Sequence, residues 1–379
     1  DHVTGLIKKL NAEYGIKRFT FLHDIFTLSR QRVVQFCQAV KRENLDIQWG
    51  CSSRIDCVDE DLLRQMAEAG CASIYFGIES GSGRMQKSIG KNLNLSRAIE
   101  IARYTTELGM HYTASFIMGF PDERPEDLEQ TINLMMKLKY MPGKVQDIQY
   151  HRLYVVPGSR LFQEGRQVLQ FDGDFSGFAR RRLCKEDFEL VREYPEVFSA
   201  YHYLPTRYLD RALVVRLHFV VANLLLWMPY SGFVLHKDKD LAFPRCVMQH
   251  YQTVDFGQES SYGAHESLAK VCGFLDSIIA HRLGRVDHPI REVMRYELAV
   301  DRVKKSKENE GAMQVEEFSF EVEEYTDAIE ANGFTRLPEI VRNGRFTLMF
   351  TKRDGKVVTV RLPAGVRRWI NKGHSALSC

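Results

Sequence analysis

Two apolar stretches of the chain stop abruptly at acidic residues and glycine. The stretch 75–82 runs from apolar side chains into Glu79 and a cluster of Ser and Gly, and the stretch 115–123 breaks at Gly119 and ends in two acidic residues. A buried parallel strand has this pattern when it delivers polar groups to a site at its carboxyl end. The two stretches therefore predict a ligand site at the edge of a sheet.

The candidate site residues share one property: each lies at, or just after, the predicted carboxyl end of a strand. Their carboxylates could bind hydroxyl or ammonium groups, their arginine could bind a carboxylate, and their glycines would let the backbone come close to a ligand. This combination suits an amino acid joined to a ribose, although it does not by itself name a reaction. The residues are His23, Asp24, Cys51, Arg54, Glu79, Ser80, Gly119, Asp122, Glu123 and the range 154–158.

Five predicted strands must position these residues. Helical patterns separate them, and they recur at intervals of roughly thirty residues, which is the size of a βαβ unit. Ligands of such sheets bind outside the carboxyl ends of the strands. The sequence thus predicts an α/β fold with a parallel sheet or barrel, whose strands are 16–22, 45–50, 72–78, 112–118 and 145–156.

Composition sets the broad class of the protein. The chain has 379 residues and a formal net charge of +3, so its length allows one large or two medium domains, and its charge gives no reason to expect a nucleic-acid partner. The eight cysteines are scattered without the even spacing of a disulfide framework. We therefore expect buried thiols, a reducing compartment and a cytoplasmic location.

The second half of the chain lacks the repeated strand and helix pattern. We expect a mainly helical accessory region over 166–310 and a small α+β tail over 311–379, the tail containing a hairpin of 346–350 with 357–362. The stretch 208–228 is strongly apolar and the overlapping stretch 219–235 has no charge, which could indicate a membrane span. The polar and helix-breaking residues within them, and a length below the usual twenty residues, favour a buried helix, with a short interfacial role as the lesser option. No transmembrane segment is expected.

Four linked blocks carry a family resemblance. Residues 70–82, together with Lys91, Gly109 and the block 116–123, resemble the radical S-adenosylmethionine (radical SAM) superfamily, and most of all its branch that often carries an upstream cobalamin-binding domain. The blocks 21–27 and 49–56 fit the preceding strands of the same branch. The resemblance covers roughly residues 1–165, and four blocks at the right spacing are far more specific than one glycine-rich motif.

The resemblance implies a partial (β/α) barrel that holds S-adenosylmethionine against a [4Fe-4S] cluster, possibly with cobalamin. It also implies a 5′-deoxyadenosyl radical, an electron donor, and methyl transfer or another C–H modification of a small molecule or peptide. A barrel without catalysis, which binds a nucleoside-like ligand or a partner protein, is the alternative. The cofactor-binding residues carried over by position are Asp24 (amino group), Glu79 and Ser80 (ribose and methionine), Gly119 and Val155 (adenine) and Arg54 (carboxylate or substrate).

The chain departs from the family pattern at the cluster. The sequence contains no Cys-x3-Cys-x2-Cys motif, and such clusters need thiolate ligands. We therefore expect the first strand and the cluster cysteines upstream of Asp1, with no metal ligand within this chain. Cys51, Cys57 and Cys71 are better interpreted as small apolar residues than as replacements, and His111 and His151 as hydrogen-bonded polar residues.

Overall fold

A computed structural model describes the chain over 2–142, 145–173, 184–239, 241–250, 264–283, 288–306, 313–340 and 343–363. It divides into two compact units, Asp1–Ala222 and Asn223–Cys379. The expected three-part division at 165 and 310 stays a prediction.

The first unit is built on a five-stranded parallel sheet in the order β1-β2-β3-β4-β5. Because the strands stand in chain order and helices connect them, the sheet has the repeated βαβ arrangement predicted from the sequence. Its elements are α1 (His2–Tyr14), β1 (Arg18–Phe21), α2 (Arg30–Arg42), β2 (Gln48–Arg54), α3 (Glu60–Glu68), β3 (Cys71–Glu79), α4 (Gly83–Ser88), α5 (Leu95–Glu107), β4 (His111–Met118), α6 (Pro125–Lys139) and β5 (Asp147–Arg152).

Local signals fix the helix ends. Asp59 precedes α3, and its side chain accepts a hydrogen bond from the N–H of Leu62 at 2.8 Å, which is the N-cap expected from the sequence. Gly70 follows α3 with a φ of +85°, and a Cβ there would lie 2.2 Å from the carbonyl oxygen of Ile47. Helix α6 begins at Pro125, as predicted.

One predicted strand boundary was wrong in a way that affects the site. The second strand was expected to end at Gly50, but β2 continues to Arg54 because its pairing with β3 extends to the partners Arg54 and Gly77. Cys51 therefore lies inside the strand and is buried, rather than standing at the edge. The other four predicted strands overlap the observed ones, with ends that differ by at most four residues.

The two faces of the sheet differ in chemistry. The face that includes Ile74, Phe76, Phe116 and Tyr150 is apolar and buried. The opposite face carries polar side chains that are exposed or half-buried, among them Ser52, Tyr75, Thr113 and Gln149. Strands covered by helices on both faces are nearly continuously apolar, so the polar face is free to meet water or a ligand.

The first unit continues beyond β5 with short elements: α7 (Arg160–Gly165), β6 (Gln170–Phe171), α8 (Phe188–Glu193) and β7 (His202–Tyr203). Strands β6 and β7 pair as a two-stranded antiparallel sheet. Helix α9 (Arg211–Trp227) begins in this unit.

The second unit contains α10 (Pro229–Lys237), α11 (Phe243–His250), α12 (Ala264–Leu283), α13 (Pro289–Lys305), β8 (Met313–Phe320), α14 (Val322–Ala331), β9 (Asn343–Arg353) and β10 (Lys356–Leu362). The last three strands form an antiparallel sheet in the order β10-β9-β8. The predicted hairpin is confirmed, with Lys356 paired to Arg353. The helical middle and the small α+β tail are thus both present.

The apolar stretch 208–235 forms parts of α9 and α10, and Leu217, Val221 and Leu224 are fully buried, as expected for a core helix. No single helix of the described residues is long and apolar enough to cross a membrane. Helices α9 and α10 meet that test only together, with a bend of 110° between them.

Candidate functional site

Glu79 ends β3 in an unusual backbone conformation. Its φ is +69°, a left-handed value that costs a non-glycine residue roughly 1 kcal/mol or more. The register between β3 and β4 also shifts between Gly77 and Glu79. Strained residues of this kind cluster at functional sites, so the backbone itself marks this strand end.

The carboxylate of Glu79 pairs with Lys91, whose Nζ lies 2.5 Å from Oε1. The two side chains are 22% and 13% exposed, so the pair is half-buried. A Cβ on Gly77 would come within 2.8 Å of Glu79 Oε1 and 3.0 Å of Lys91 Nζ. Glycine at 77 therefore provides the space in which the two charges meet.

Gln86 fixes the loop that brings Lys91 to this place. Its side-chain amide donates to the carbonyl oxygens of Ile78 at 2.8 Å and Ser80 at 2.6 Å, and its carbonyl accepts from the N–H of Leu93 at 3.3 Å. The side chain is buried. Gln86 thus ties the end of β3 to the loop after α4, and buried networks with satisfied partners are rigid.

Arg54 ends the neighbouring strand and joins the same network. Its guanidinium makes two hydrogen bonds to Asp56, at 3.0 and 2.7 Å, and a third to the carbonyl oxygen of Lys91 at 3.1 Å. The hydrogen bonds to Asp56 raise the pKa of Arg54 above its usual value. The structure therefore brings Glu79 and Arg54 together, linked through Lys91.

Ser80 follows Glu79 in the chain, but its side chain contacts α6 and not the Glu79 network. It is fully buried, and its hydroxyl lies 3.1 Å from the hydroxyl of Thr131 on α6. The Thr131 hydroxyl also accepts a hydrogen bond from the N–H of Gly81 at 3.0 Å. A Cβ on Gly81 would lie 2.7 Å from the backbone of α6, so glycine is needed for this close approach. The Ser80 side chain holds the turn against α6.

Asp24 stands apart from the Glu79 network. It is exposed, and its carboxylate makes no hydrogen bond or ion pair with another residue in the part of the chain that the structure describes. Its place just after β1 agrees with the prediction, but the structure does not join it to Glu79 or Arg54.

Gly119 ends β4 with a φ of +90°. Its N–H donates to Oε2 of Glu123 at 2.6 Å, so this donor is already used. Glu123 is fully buried, and burial raises its pKa to about 8. The Glu123 carboxyl therefore holds a proton at neutral pH and closes the turn after the strand.

A cavity of about 210 Å³ lies beside Gly119. Its wall includes Met118, Leu153 and Val214, and the side chains of Tyr203 and Arg211 also line it. Val155 lies close by in sequence but is buried against Phe162 and Leu204. Gly119 thus faces a small space at the end of β4, whereas Val155 belongs to the packed core.

The polar face of the sheet holds a second group that the sequence did not single out. The hydroxyl of Tyr75 donates to Oε1 of Gln149 at 3.2 Å, and Nε2 of His151 lies 3.2 Å from the same oxygen. His151 and His111 both have hydrogen-bond partners, as predicted; His111 lies 2.8 Å from Asp147. Alternation along the strands could have placed Tyr75 and Gln149 on one face, but not in contact.

The donors of a metal cluster are not assembled here. Among the residues described, no group of three His, Cys, Asp or Glu side chains could hold a metal ion. Cys51 and Cys71 are buried, and Cys57 is half-buried. The described residues therefore do not fit a [4Fe-4S] cluster, and we assign no step to one.

Comparison with known families gives a match within the first unit. Residues 1–135 match the model of the Radical SAM superfamily, whose members use S-adenosylmethionine and a [4Fe-4S] cluster. The resemblance seen in the sequence is thereby confirmed.

Two curated relatives are named methyltransferases. An uncharacterized methyltransferase of Pyrococcus horikoshii is 40% identical over 157 residues, covering 41% of this chain and 32% of its own length. The cytidylyl-2-hydroxyethylphosphonate methyltransferase of Streptomyces wedmorensis is 35% identical over 120 residues, covering 31% of this chain and 22% of its own length. The chain thus spans a third or less of the length of these relatives.

Solved structures give a weaker likeness. The radical S-adenosylmethionine methyltransferase TsrM from Kitasatospora setae, solved with cobalamin and a [4Fe-4S] cluster, has a TM-score of 0.43 and 14% identity, covering 66% of this chain and 54% of that one.

Proposed function

We propose that the first unit binds S-adenosylmethionine at the carboxyl ends of β2, β3 and β4, as part of a radical SAM enzyme. The observation that carries this proposal is the Glu79, Lys91 and Arg54 network, in which Glu79 and Arg54 lie at neighbouring strand ends and Lys91 reaches Glu79 from the loop after α4. S-adenosylmethionine carries ribose hydroxyls, an ammonium group and a carboxylate, and each has a complement in this set. The donors present therefore fit the cofactor.

Each residue has a separate part in holding the cofactor. Glu79 would accept hydrogen bonds from hydroxyl or ammonium groups, while Lys91 or Arg54 would bind the carboxylate. Gly119 would contact adenine at the cavity beside β4, whose volume of about 210 Å³ supports a role for one ring. Ser80 and Val155 would shape the site from within the core, and Asp24 would approach from the edge strand.

When bound, S-adenosylmethionine supplies the 5′-deoxyadenosyl radical of the superfamily. We propose methyl transfer, or another C–H modification of a small molecule or peptide, as the reaction, because the two curated relatives are named methyltransferases. The proposed reaction also requires an electron donor as a partner, to reduce the cluster. Cobalamin remains a proposed further cofactor on the resemblance alone, with no residue assigned to it. The seven described cysteines are free thiols, which supports the proposed cytoplasmic location.

Calorimetric titration with S-adenosylmethionine and S-adenosylhomocysteine tests the binding site. We expect Glu79→Ala to weaken binding by roughly tenfold or more, since a charge-assisted hydrogen bond is lost. Glu107→Ala is the matched control, because Glu107 pairs with Arg103 on the exposed face of α5. Equal affinity of the Glu79 variant and the wild-type protein would remove Glu79 from the site.

The catalytic part needs a separate measurement. Because the described residues do not fit a [4Fe-4S] cluster, a longer chain that carries a Cys-x3-Cys-x2-Cys loop would be reconstituted anaerobically with iron and sulfide, reduced, and assayed for 5′-deoxyadenosine. Formation of 5′-deoxyadenosine supports the radical SAM reaction. Binding of S-adenosylmethionine without this product would instead support a barrel that binds a nucleoside-like ligand without catalysis.

A further inference from the structure

The polar face of the sheet carries a hydrogen-bonded group made of Tyr75, Gln149 and His151. Tyr75 lies on β3, and Gln149 and His151 lie on β5. The strand between them, β4, pairs with both: Thr113 stands opposite Tyr75, and Ser115 stands opposite Gln149. Residues paired in register project from the same face of a sheet. Tyr75 and Gln149 are therefore brought together by the pairing of β3, β4 and β5, although 74 positions separate them in the chain.

Tyr75 and Gln149 lie short of the strand ends, whereas His151 is the last residue but one of β5. Tyr75 precedes Glu79 by four residues on β3, which is about 13 Å along an extended strand. Gln149 precedes the last residue of β5 by three positions. The hydrogen bonds among Tyr75, Gln149 and His151 are separate from those of the Glu79 network, although the charge of Glu79 acts on both Tyr75 and His151.

The group carries no formal charge. Burial lowers the pKa of His151, with a smaller opposing effect from Glu79, so its ring is neutral at neutral pH. Burial raises the pKa of Tyr75, although the neighbouring Ser115 hydroxyl opposes this, and the phenol keeps its proton. A carboxylate or phosphate is normally bound by cations and an ammonium group by carboxylates. A neutral group of this kind therefore suits neither an anionic nor a cationic ligand group.

Gln149 has hydrogen-bonding capacity to spare. Its carbonyl oxygen accepts from Tyr75 and faces His151, which fixes the direction of the amide. Within the described part of the chain nothing accepts a hydrogen bond from its side-chain NH2 group, and the residue is exposed on the sheet face. The amide can therefore donate outward, while the phenolic oxygen of Tyr75 can still accept.

Building on the proposed function, we propose that Tyr75, Gln149 and His151 form a substrate subsite for an uncharged group that both accepts and donates hydrogen bonds. A carboxamide or a heteroaromatic ring has this chemistry. Its carbonyl or ring acceptor would meet the amide of Gln149, and its N–H would meet the phenolic oxygen of Tyr75. The two aromatic side chains flank the amide and would contact the planar body of the ligand.

Three probes of the same shape and different charge test the subsite: benzamide, benzoate and benzamidine. Their binding would be measured by saturation-transfer NMR titration of the whole protein. We expect benzamide to bind, and benzoate and benzamidine to bind at least fivefold more weakly. Equal binding of a charged probe, or no binding of benzamide, would overturn the proposal.

Two variants assign the binding to Gln149. Gln149→Leu should abolish benzamide binding, and Gln149→Glu should shift the preference toward benzamidine. Gln130→Leu, on the exposed surface of α6, is the control and should bind like the wild-type protein. Since Gln149 is exposed, thermal unfolding should stay unchanged in the variants. Unchanged benzamide binding by Gln149→Leu would contradict the assignment.

A competition experiment separates the subsite from the cofactor site. If benzamide and S-adenosylhomocysteine bind together, and Gln149→Leu keeps its affinity for S-adenosylhomocysteine, the subsite belongs to the substrate. Displacement of benzamide by S-adenosylhomocysteine would assign the group to adenine and overturn the substrate proposal. If the wild-type protein fails to bind S-adenosylhomocysteine but binds benzamide, the proposed cofactor function fails while the uncharged subsite stands.

Discussion

The N–H of Gly119 donates to the buried carboxyl of Glu123 at 2.6 Å, so the side chain that ends the 115–123 block closes the turn after β4. The sequence suggested Glu123 as an open acidic candidate at the strand end. The structure instead buries it completely, and its Oε1 atom has no hydrogen-bond partner among the described residues. Its carboxyl therefore acts on the backbone that shapes the site.

This burial makes stability depend on pH. The pKa of Glu123 is raised from an ordinary 4.5 to about 8 in the folded protein, so the folded state binds more protons between these values. The contribution of Glu123 to the free energy of unfolding is fully present below about pH 4.5. It is lost as pH rises to about 8, at up to about 1.4 kcal/mol per pH unit. We expect the Tm of Glu123→Gln to fall less with rising pH than the Tm of the wild-type protein. Thermal unfolding between about pH 5 and about pH 9 measures this difference.

The control for this prediction is Glu126→Gln, since Glu126 is an exposed carboxyl on α6. It should leave the pH dependence of Tm as in the wild-type protein. A Glu123→Gln variant whose Tm falls with pH as steeply as the wild-type value would contradict the protonated state of Glu123.

Gly77 offers a second test, because it controls the space of the Glu79 and Lys91 pair. Gly77→Ala would place a Cβ within 3.0 Å of both charged groups, and the two flexible side chains would have to move. We expect S-adenosylmethionine affinity to fall by several-fold with little change in Tm. Gly83→Ala is the control, because nothing lies within 4 Å of its Cβ, and it should bind normally. Similar affinities of the two variants would argue against the pair as the binding group.

Pattern alone located the strand ends, since apolar runs that stop abruptly at Glu79 and Gly119 are typical of buried parallel strands. Pattern could not pair Lys91 with Glu79, although the family resemblance includes Lys91, because Lys91 reaches Glu79 only through a loop that the buried Gln86 fixes. It also misjudged the side chain of Ser80. The left-handed backbone of Glu79 and the register shift beside it break the alternation of a strand, so the residue after Glu79 turns toward α6.

The extent of β2 was missed for a different reason. Cys51, Ser52 and Ser53 resemble a polar loop in the sequence, but their pairing with β3 keeps them in the strand. Ser53 is buried, and its hydroxyl lies 2.5 Å from that of Thr27. Tertiary pairing of this kind overrides local preference, and it carries Arg54 to the strand end where it meets the Lys91 backbone.

In the second unit, Glu297 should stabilise the start of α10. Its carboxylate accepts from the N–H groups of Tyr230 at 2.8 Å and Ser231 at 3.1 Å, and from the Ser231 hydroxyl at 2.5 Å. We expect Glu297→Ala to lower the free energy of unfolding by about 2–4 kcal/mol, since buried donors lose their acceptor. Ser231→Ala removes one of the three bonds and should cost about 1 kcal/mol. Equal losses in denaturant unfolding would contradict this role.

The edge strand β1 should control self-association. In the part of the chain that the structure describes, β1 pairs with β2 alone, and Leu22, just after it, is 95% exposed. An exposed strand edge next to an apolar side chain is a template for pairing with another chain. We expect Leu22→Lys to raise the monomer fraction in light scattering at equal protein concentration. Leu28→Lys, also at an exposed leucine but outside the strand, should have less effect. A wild-type protein that is already monomeric at high concentration would show that this edge is protected in solution.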